Sequence, residues 1–158
     1  MYKIILVPLD GSKRAEAILP HIENLAQCYQ AKVIFLQVVE PPPPLIDWVN
    51  PIPDVQEYEQ WMKTAETYLA ARQTEFREKG IETKTHVAHG PIVEEIINTA
   101  AREGADLIAL ASHGRTGLAG VFYGSVAAGV LHRVDRPLLL VRSEGDRPNK
   151  SNLFGSPS

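Results

Sequence analysis

Tyr2-Lys3-Ile4-Ile5-Leu6-Val7-Pro8-Leu9-Asp10-Gly11-Ser12 begins as an apolar run and stops at an acidic, turn-forming tripeptide. A run from Tyr2 to Val7 without polar alternation reads as a strand covered by helices on both faces. Gly11 and Ser12 break it. Ala15, Ile18, Leu19, Ile22, Leu25, Ala26 and Tyr29 then recur at helical spacing, and Val33 to Val39 is a second buried strand. The order is β-α-β, which predicts parallel strands joined by a crossover helix.

Outward from that unit the alternation continues. Glu40 to Pro53 holds six of the 12 prolines, four of them consecutive at Pro41 to Pro44. Proline fixes φ and removes donors, so this segment reads as a semi-rigid extended loop, with Trp48 as a partial cover for a site. Asp54 reads as a helix N-cap with Glu57 three residues on. Val55, Tyr58, Met62, Ala65, Leu69, Arg72 and Phe76 form the expected inner stripe of a long helix that stops at Gly80. Glu82 to Ala88 alternates, as a strand near a sheet edge does. Pro91 sets the first turn of a helix carried by Ile92, Val93, Ile96, Ile97, Ala100 and Ala101 and ended by Gly104. Asp106 to Ala111 is the fourth strand, Val126 to Val134 continues a helix, and Pro137 to Val141 is the fifth strand. The expected class is α/β, with one domain over residues 1–143, no internal repeat and a disordered polar tail over 144–158.

With 158 residues, 44% of them hydrophobic and 22% charged, the chain suits a single core and is too apolar for a disordered one. A net charge of -3 argues against a duplex nucleic-acid partner. Cys28 is the sole cysteine, which excludes an internal disulfide and a cysteine-rich zinc site; its helical context predicts a buried small hydrophobe. The opening apolar run is too short for a signal peptide, and no stretch approaches the roughly 20 apolar residues of a membrane span. The expected compartment is the cytoplasm, with no membrane partner.

In open parallel sheets ligands sit beyond the carboxyl ends of the strands. Of the loops there, the one from Ala111 to Ser125 is the most informative. Gly114, Gly117, Gly120 and Gly124 fall within eleven residues just before a helix. Bare backbone can approach phosphate oxygens, and the helix start near Ser125 aims N–H groups and a positive dipole end at them. Arg115 and the hydroxyls of Ser112, Thr116 and Ser125 are further donors. The bland alternative is a glycine loop that only turns the chain. The loop is neither a Walker A motif, lacking Gly-Lys-[Ser/Thr], nor the dinucleotide fingerprint, which belongs after the first strand. His113 has no evident triad or metal partner, so a structural or phosphate-side polar role is expected. His86 and His89 lack a third ligand, which leaves a metal pair weakly supported.

Taken together, these blocks resemble the universal stress proteins over residues 2 to 142. That family ends its first strand in V-P-x-D-G-S, matched by Val7-Pro8-Leu9-Asp10-Gly11-Ser12. Its fourth strand runs into Gly-x2-Gly-x9-Gly-[Ser/Thr], matched by Ala111-Ser112-His113-Gly114, nine residues, and Gly124-Ser125. Arg136-Pro137-Leu138-Leu139-Leu140-Val141 is similar to its last strand. The resemblance implies a Rossmann-like sheet of order 3-2-1-4-5, of the adenine nucleotide alpha hydrolase type. It implies a nucleotide-binding set of Pro8, Leu9, Asp10, Ser12, Val38, Ala111, His113, Gly114, Arg115, Gly124, Ser125 and Val126. Adenosine lies against Pro8, Leu9, Asp10 and the main chain of Val38, with phosphates on Gly114, Gly124 and Ser125. Asp10 suits ribose hydroxyls, with an Asx-turn acceptor as its alternative role. Ala111 replaces the first motif glycine, which leaves ATP, ADP and AMP as alternatives, with Mg2+ accompanying ATP.

The resemblance places the fifth strand at the sheet edge, and an uncovered apolar edge predicts a homodimer through Pro137 to Arg142. The expected function is an adenine-nucleotide-binding regulator of stress response or signalling, without an assigned catalytic residue or metal ligand. The alternatives are a weak ATPase or nucleotidyl-transfer enzyme on the same scaffold, and a nucleotide-free interaction module.

Overall fold

The computed structural model describes residues 1–41, 55–113, 115–117, 120–122 and 124–143. In it β1 (Ile4–Pro8) is the central strand of a five-stranded parallel sheet. β2 (Lys32–Val39) and β4 (Leu107–His113) flank it, and β3 (Thr83–His89) and the last strand, β7 (Leu138–Ser143), form the edges. The order β3-β2-β1-β4-β7 is the expected 3-2-1-4-5 when the strands of this sheet are counted alone. The chain winds outward from β1 in one direction, returns, and winds outward in the other, so the topological switch lies between β1 and β4.

Side chains alternate across the strands, and both sets are apolar. Ile5, Val7, Val33, Phe35, Leu107 and Ala109 face a core completed by Ile18, by Ile22 and Ala26 of α1 (Leu19–Tyr29), and by Leu69 and Phe76 of α2 (Val55–Glu78). Phe35 and Phe76 meet edge to face with ring centroids 4.9 Å apart. Leu6, Ile34, Leu36, Ile108 and Leu110 face the opposite core, completed by Ile96 and Ala100 of α3 (Ile92–Glu103) and by Ala127 and Val130 of α4 (Ser125–Arg133). Gly80 and Gly104, at φ +77° and +65°, sit just past α2 and α3 in the left-handed conformation that ends helices.

Several expectations are corrected. The first helical segment opens as a 3-10 turn over Ala15–Ile18 before α1 proper. Cys28 is exposed, because it lies about half a turn round the helix from the buried Ala26. Val55 is 63% exposed and does not join the inner stripe of α2. At 24 residues α2 is about 36 Å long. The seven residues of β3 span roughly 23 Å, so the helix is longer than the strand that follows it. The described parts of the glycine-rich stretch include strand. β4 runs on to His113, and β5 (Arg115–Gly117) pairs antiparallel with β6 (Gly120–Phe122). Thr116, Val121 and Phe122 are strand formers, a local preference that the glycine count obscured. The expectations for Trp48, the proline loop, the Asp54 cap and the tail fall on 42–54 and 144–158, outside the described residues.

Candidate functional site

At the carboxyl ends of β1, β2 and β4, beside the switch point, lies a cavity of about 160 Å³. Its deep wall is apolar: Leu36, Leu110, Ile96 and Ala127 belong to the core between the sheet and helices α3 and α4, and Ile92 adds to it from the first turn of α3. Leu9 extends beyond β1 and donates its N–H to the Leu36 carbonyl at 2.8 Å, which fixes the rim carrying Pro8, Leu9 and Asp10. Val38 lines the cavity from β2, Ala111 from β4, and Gly124, Ser125 and Val126 from the start of α4.

The polar groups fall into two sets. On one side stands Asp10, exposed and at the rim, whose Oδ1 accepts the Ser12 N–H at 2.8 Å. Ser12 Oγ in turn accepts the Ala15 N–H at 3.2 Å, starting the 3-10 turn. The Asx-turn role is therefore real, and it coexists with a place on the cavity wall, since a carboxylate has about four lone-pair sites. On the other side is the amino terminus of α4. Gly124 accepts the Ala128 N–H at 2.9 Å through its carbonyl, and among the described residues no side chain caps the helix. The N–H groups of its first turn thus have no intrahelical acceptor and stand at the positive end of the dipole. Gly129 lets this helix approach α3 closely: a Cβ there would lie 2.7 Å from Val93 Cγ2.

Of the twelve residues expected from sequence, the cavity brings together Pro8, Leu9, Asp10, Val38, Ala111, Gly124, Ser125 and Val126. Ser12 does not line it; its hydroxyl serves the 3-10 turn. His113 ends β4 opposite Ser143, and Arg115 begins the β5–β6 ribbon opposite Phe122. Gly114 lies outside the described residues. Ser112, considered as a donor, is buried in β4 and is not part of the wall. Sequence reasoning missed Ala15, Leu36, Ile92, Ile96, Leu110 and Ala127. The signal for Leu36 and Leu110 was present, as each lies near the carboxyl end of a strand beside the switch point.

Elsewhere His86 and Asp106 serve contacts away from the cavity. His86 Nε2 lies 3.2 Å from Arg102 Nη2, and burial, followed by the Arg102 charge, lowers its pKa below the usual imidazole value. Among the described residues no three His, Cys, Asp or Glu side chains are grouped to hold a metal ion. Asp106 sits at the amino end of β4, away from the cavity, and its carboxylate accepts the N–H groups of Lys3 and Ile4. No helix of the described residues is long and apolar enough to cross a membrane.

The sequence profile of the universal stress protein family matches residues 1–142. The chain belongs to the universal stress protein family. Among relatives, it is 31% identical over 155 residues to universal stress protein MJ0577 of Methanocaldococcus jannaschii, covering 90% of this chain and 96% of that one. The solved structure of MJ0577 superposes with a TM-score of 0.69 at 30% identity, covering 92% and 99% of the two chains. Two more distant members share the fold. A universal stress protein solved in complex with cAMP is 21% identical, with a TM-score of 0.61 and coverage of 90% and 98%. One from Archaeoglobus fulgidus in complex with dAMP is 17% identical, with a TM-score of 0.58 and coverage of 89% and 97%.

Proposed function

We propose that this universal stress protein binds an adenine nucleotide in the cavity beside β1 and acts as a cytoplasmic regulator whose partners respond to the bound state. The observation that carries the reading is the convergence at one cavity of an apolar slot, a rim carboxylate and an uncapped helix terminus. Leu36, Ile92, Ile96 and Leu110 offer the slot that a purine ring fills. Asp10 is the acceptor for ribose hydroxyls. The first turn of α4, with the Ser125 hydroxyl, receives the phosphates. The family's solved complexes with cAMP and dAMP agree with that choice of ligand.

AMP, ADP and ATP share the adenosine part and differ only in what extends past Ser125. Mg2+ enters with ATP on its phosphates, as that ion commonly does, and Asp10 is the carboxylate at the cavity rim. Titration calorimetry with the three nucleotides on stripped protein tests the reading. Wild type is expected to release heat with at least one of them, and Gly124→Val, which puts a branched side chain at the phosphate end, is expected to abolish it. Absence of binding by wild type, or equal binding by Gly124→Val, overturns the assignment.

The protein also pairs with a second copy through the β7 edge. Leu138, Leu139, Leu140 and Val141 are only half-buried on an edge strand, and an uncovered edge of this kind favours a two-fold partner.

A further inference from the structure

The strands that meet at the switch point are paired unequally on their two sides. β1 runs beside β2 from Ile4↔Lys32 to Pro8↔Leu36, and the Leu9 N–H adds one more bond, to the Leu36 carbonyl at 2.8 Å. β4 runs beside β7 from Ile108↔Leu138 to His113↔Ser143. Between β1 and β4 the register holds only at Ile5↔Leu107 and Leu6↔Ile108. Each strand thus keeps its outer neighbour to its carboxyl end, while the two part from each other. Pro8, Leu9, Leu110 and Ala111 all lie beyond the last shared rung, and all four line the cavity.

The direction of the backbone groups accounts for the parting. Along a strand, successive residues turn their N–H and C=O toward opposite neighbours. Leu9 donates toward β2, whereas the Ile4 carbonyl accepts the Asp106 N–H at 3.0 Å on the β4 side, so Ile4, Leu6 and Pro8 face β4. On β4 the Ile108 N–H donates to the Pro137 carbonyl at 3.0 Å on the β7 side, which turns Leu107, Ala109 and Ala111 toward β1. After Leu6↔Ile108 the next rung would be an N–H at position 8 donated to the Ala109 carbonyl. Proline has no N–H, and that bond cannot form. Inside a sheet proline is ordinarily kept to edges, strand starts and bulges for this reason, yet Pro8 ends the central strand. The gap is local, because Val7 and Ala109 beside it are fully buried.

We propose that Pro8 is a positioning residue for the nucleotide site: by withholding an N–H from the Ala109 carbonyl it stops the β1–β4 ladder and keeps open the crevice that the nucleotide enters. This rests on the nucleotide reading above and adds to it the reason the crevice does not zip shut. In Pro8→Ala the restored N–H closes the rung in competition with the ligand. AMP affinity is expected to fall by about three- to fifteenfold, the factor by which one net backbone hydrogen bond populates a closed form. Titration calorimetry reads that loss, and nuclear magnetic resonance reads the bond itself. A scalar coupling across the hydrogen bond, from the residue-8 nitrogen to the Ala109 carbonyl carbon, is expected in ligand-free Pro8→Ala and is lost when AMP saturates the protein. Pro8→Val, with its stronger strand preference, is expected to give the same pair of results. Loss of a proline contact with the ligand would weaken AMP without creating the bond. No coupling in either variant, a coupling that persists with AMP bound, or AMP affinity within about twofold of wild type overturns the proposal while the nucleotide reading stands. Failure of wild type to bind AMP overturns both.

Discussion

Asp106 and Ile4 are bonded in both directions: Asp106 Oδ1 accepts the Ile4 N–H at 3.2 Å, and the Asp106 N–H donates to the Ile4 carbonyl at 3.0 Å. Asp106 Oδ2 also takes the Lys3 N–H at 2.9 Å, so one side chain closes the amino end of β1 against β4. Asp106→Ala leaves two backbone donors without this acceptor and is expected to lower stability by about 1–3 kcal/mol, read from urea unfolding. Nucleotide affinity should stay within about twofold, because the cavity is at the other end of the strands. A variant as stable as wild type refutes the strapping role.

Gly129 offers a test in which the usual sign reverses. A helix-interior glycine replaced by alanine ordinarily gains about 1 kcal/mol. Here the added methyl would stand 2.7 Å from Val93 Cγ2. Gly129→Ala is therefore expected to destabilise, by about 1–2 kcal/mol net, with α4 pushed away from α3. Val93→Ala in the same chain should recover most of that loss. A stabilised Gly129→Ala would show that the two helices have room to part.

The pH response of stability should carry the signature of His86. Burial and Arg102 lower its folded pKa below the ordinary 6.5, so the unfolded chain binds the proton more readily. Stability is thus fully present above about pH 6.5 and declines as pH falls from there toward the folded value. Glu103, held below its ordinary value chiefly by the Lys84 hydrogen bond, adds a second decline only under more acid conditions. Urea midpoints measured between pH 8 and pH 5 should fall for wild type and fall less for His86→Gln. Parallel curves for the two proteins would count against it.

Pairing through β7 predicts a molar mass near twice the 17.4 kDa of one chain by light scattering at micromolar concentration. A monomer under those conditions would remove the edge-strand dimer from the account.

Much of the fold was legible because four strands of the sheet are apolar runs, β3 alternates as an edge strand does, and α2 and α3 end in recognisable punctuation. Gly80 and Gly104 stop their helices where the sequence suggests, and Pro91 precedes α3. The cavity rim was legible where a motif named it, from Pro8 to Asp10 and from Gly124 to Val126. Its deep wall was not, since Leu36, Ile96 and Leu110 have the same apolar character as any core residue. Their role depends on where the sheet switches direction. Cys28 and Val55 were misread for related reasons: helical spacing gives a face but not how far the covered surface reaches round or along it. Arg72 of α2 pairs with Glu16, 56 positions away, and no local pattern reports such a meeting.

The sheet divides the molecule into two interiors, and the cavity takes its deep wall almost wholly from one of them. Leu36, Ile96, Leu110 and Ala127 all pack with α3 and α4, whereas Phe35, Leu69 and Phe76 fill the other side. Sequence drift is then unequally constrained. The compartment under α1 and α2 can be rewritten with little effect on the shape of the slot. A lineage built this way can change the surface it shows to partners while conserving the recess on the opposite side.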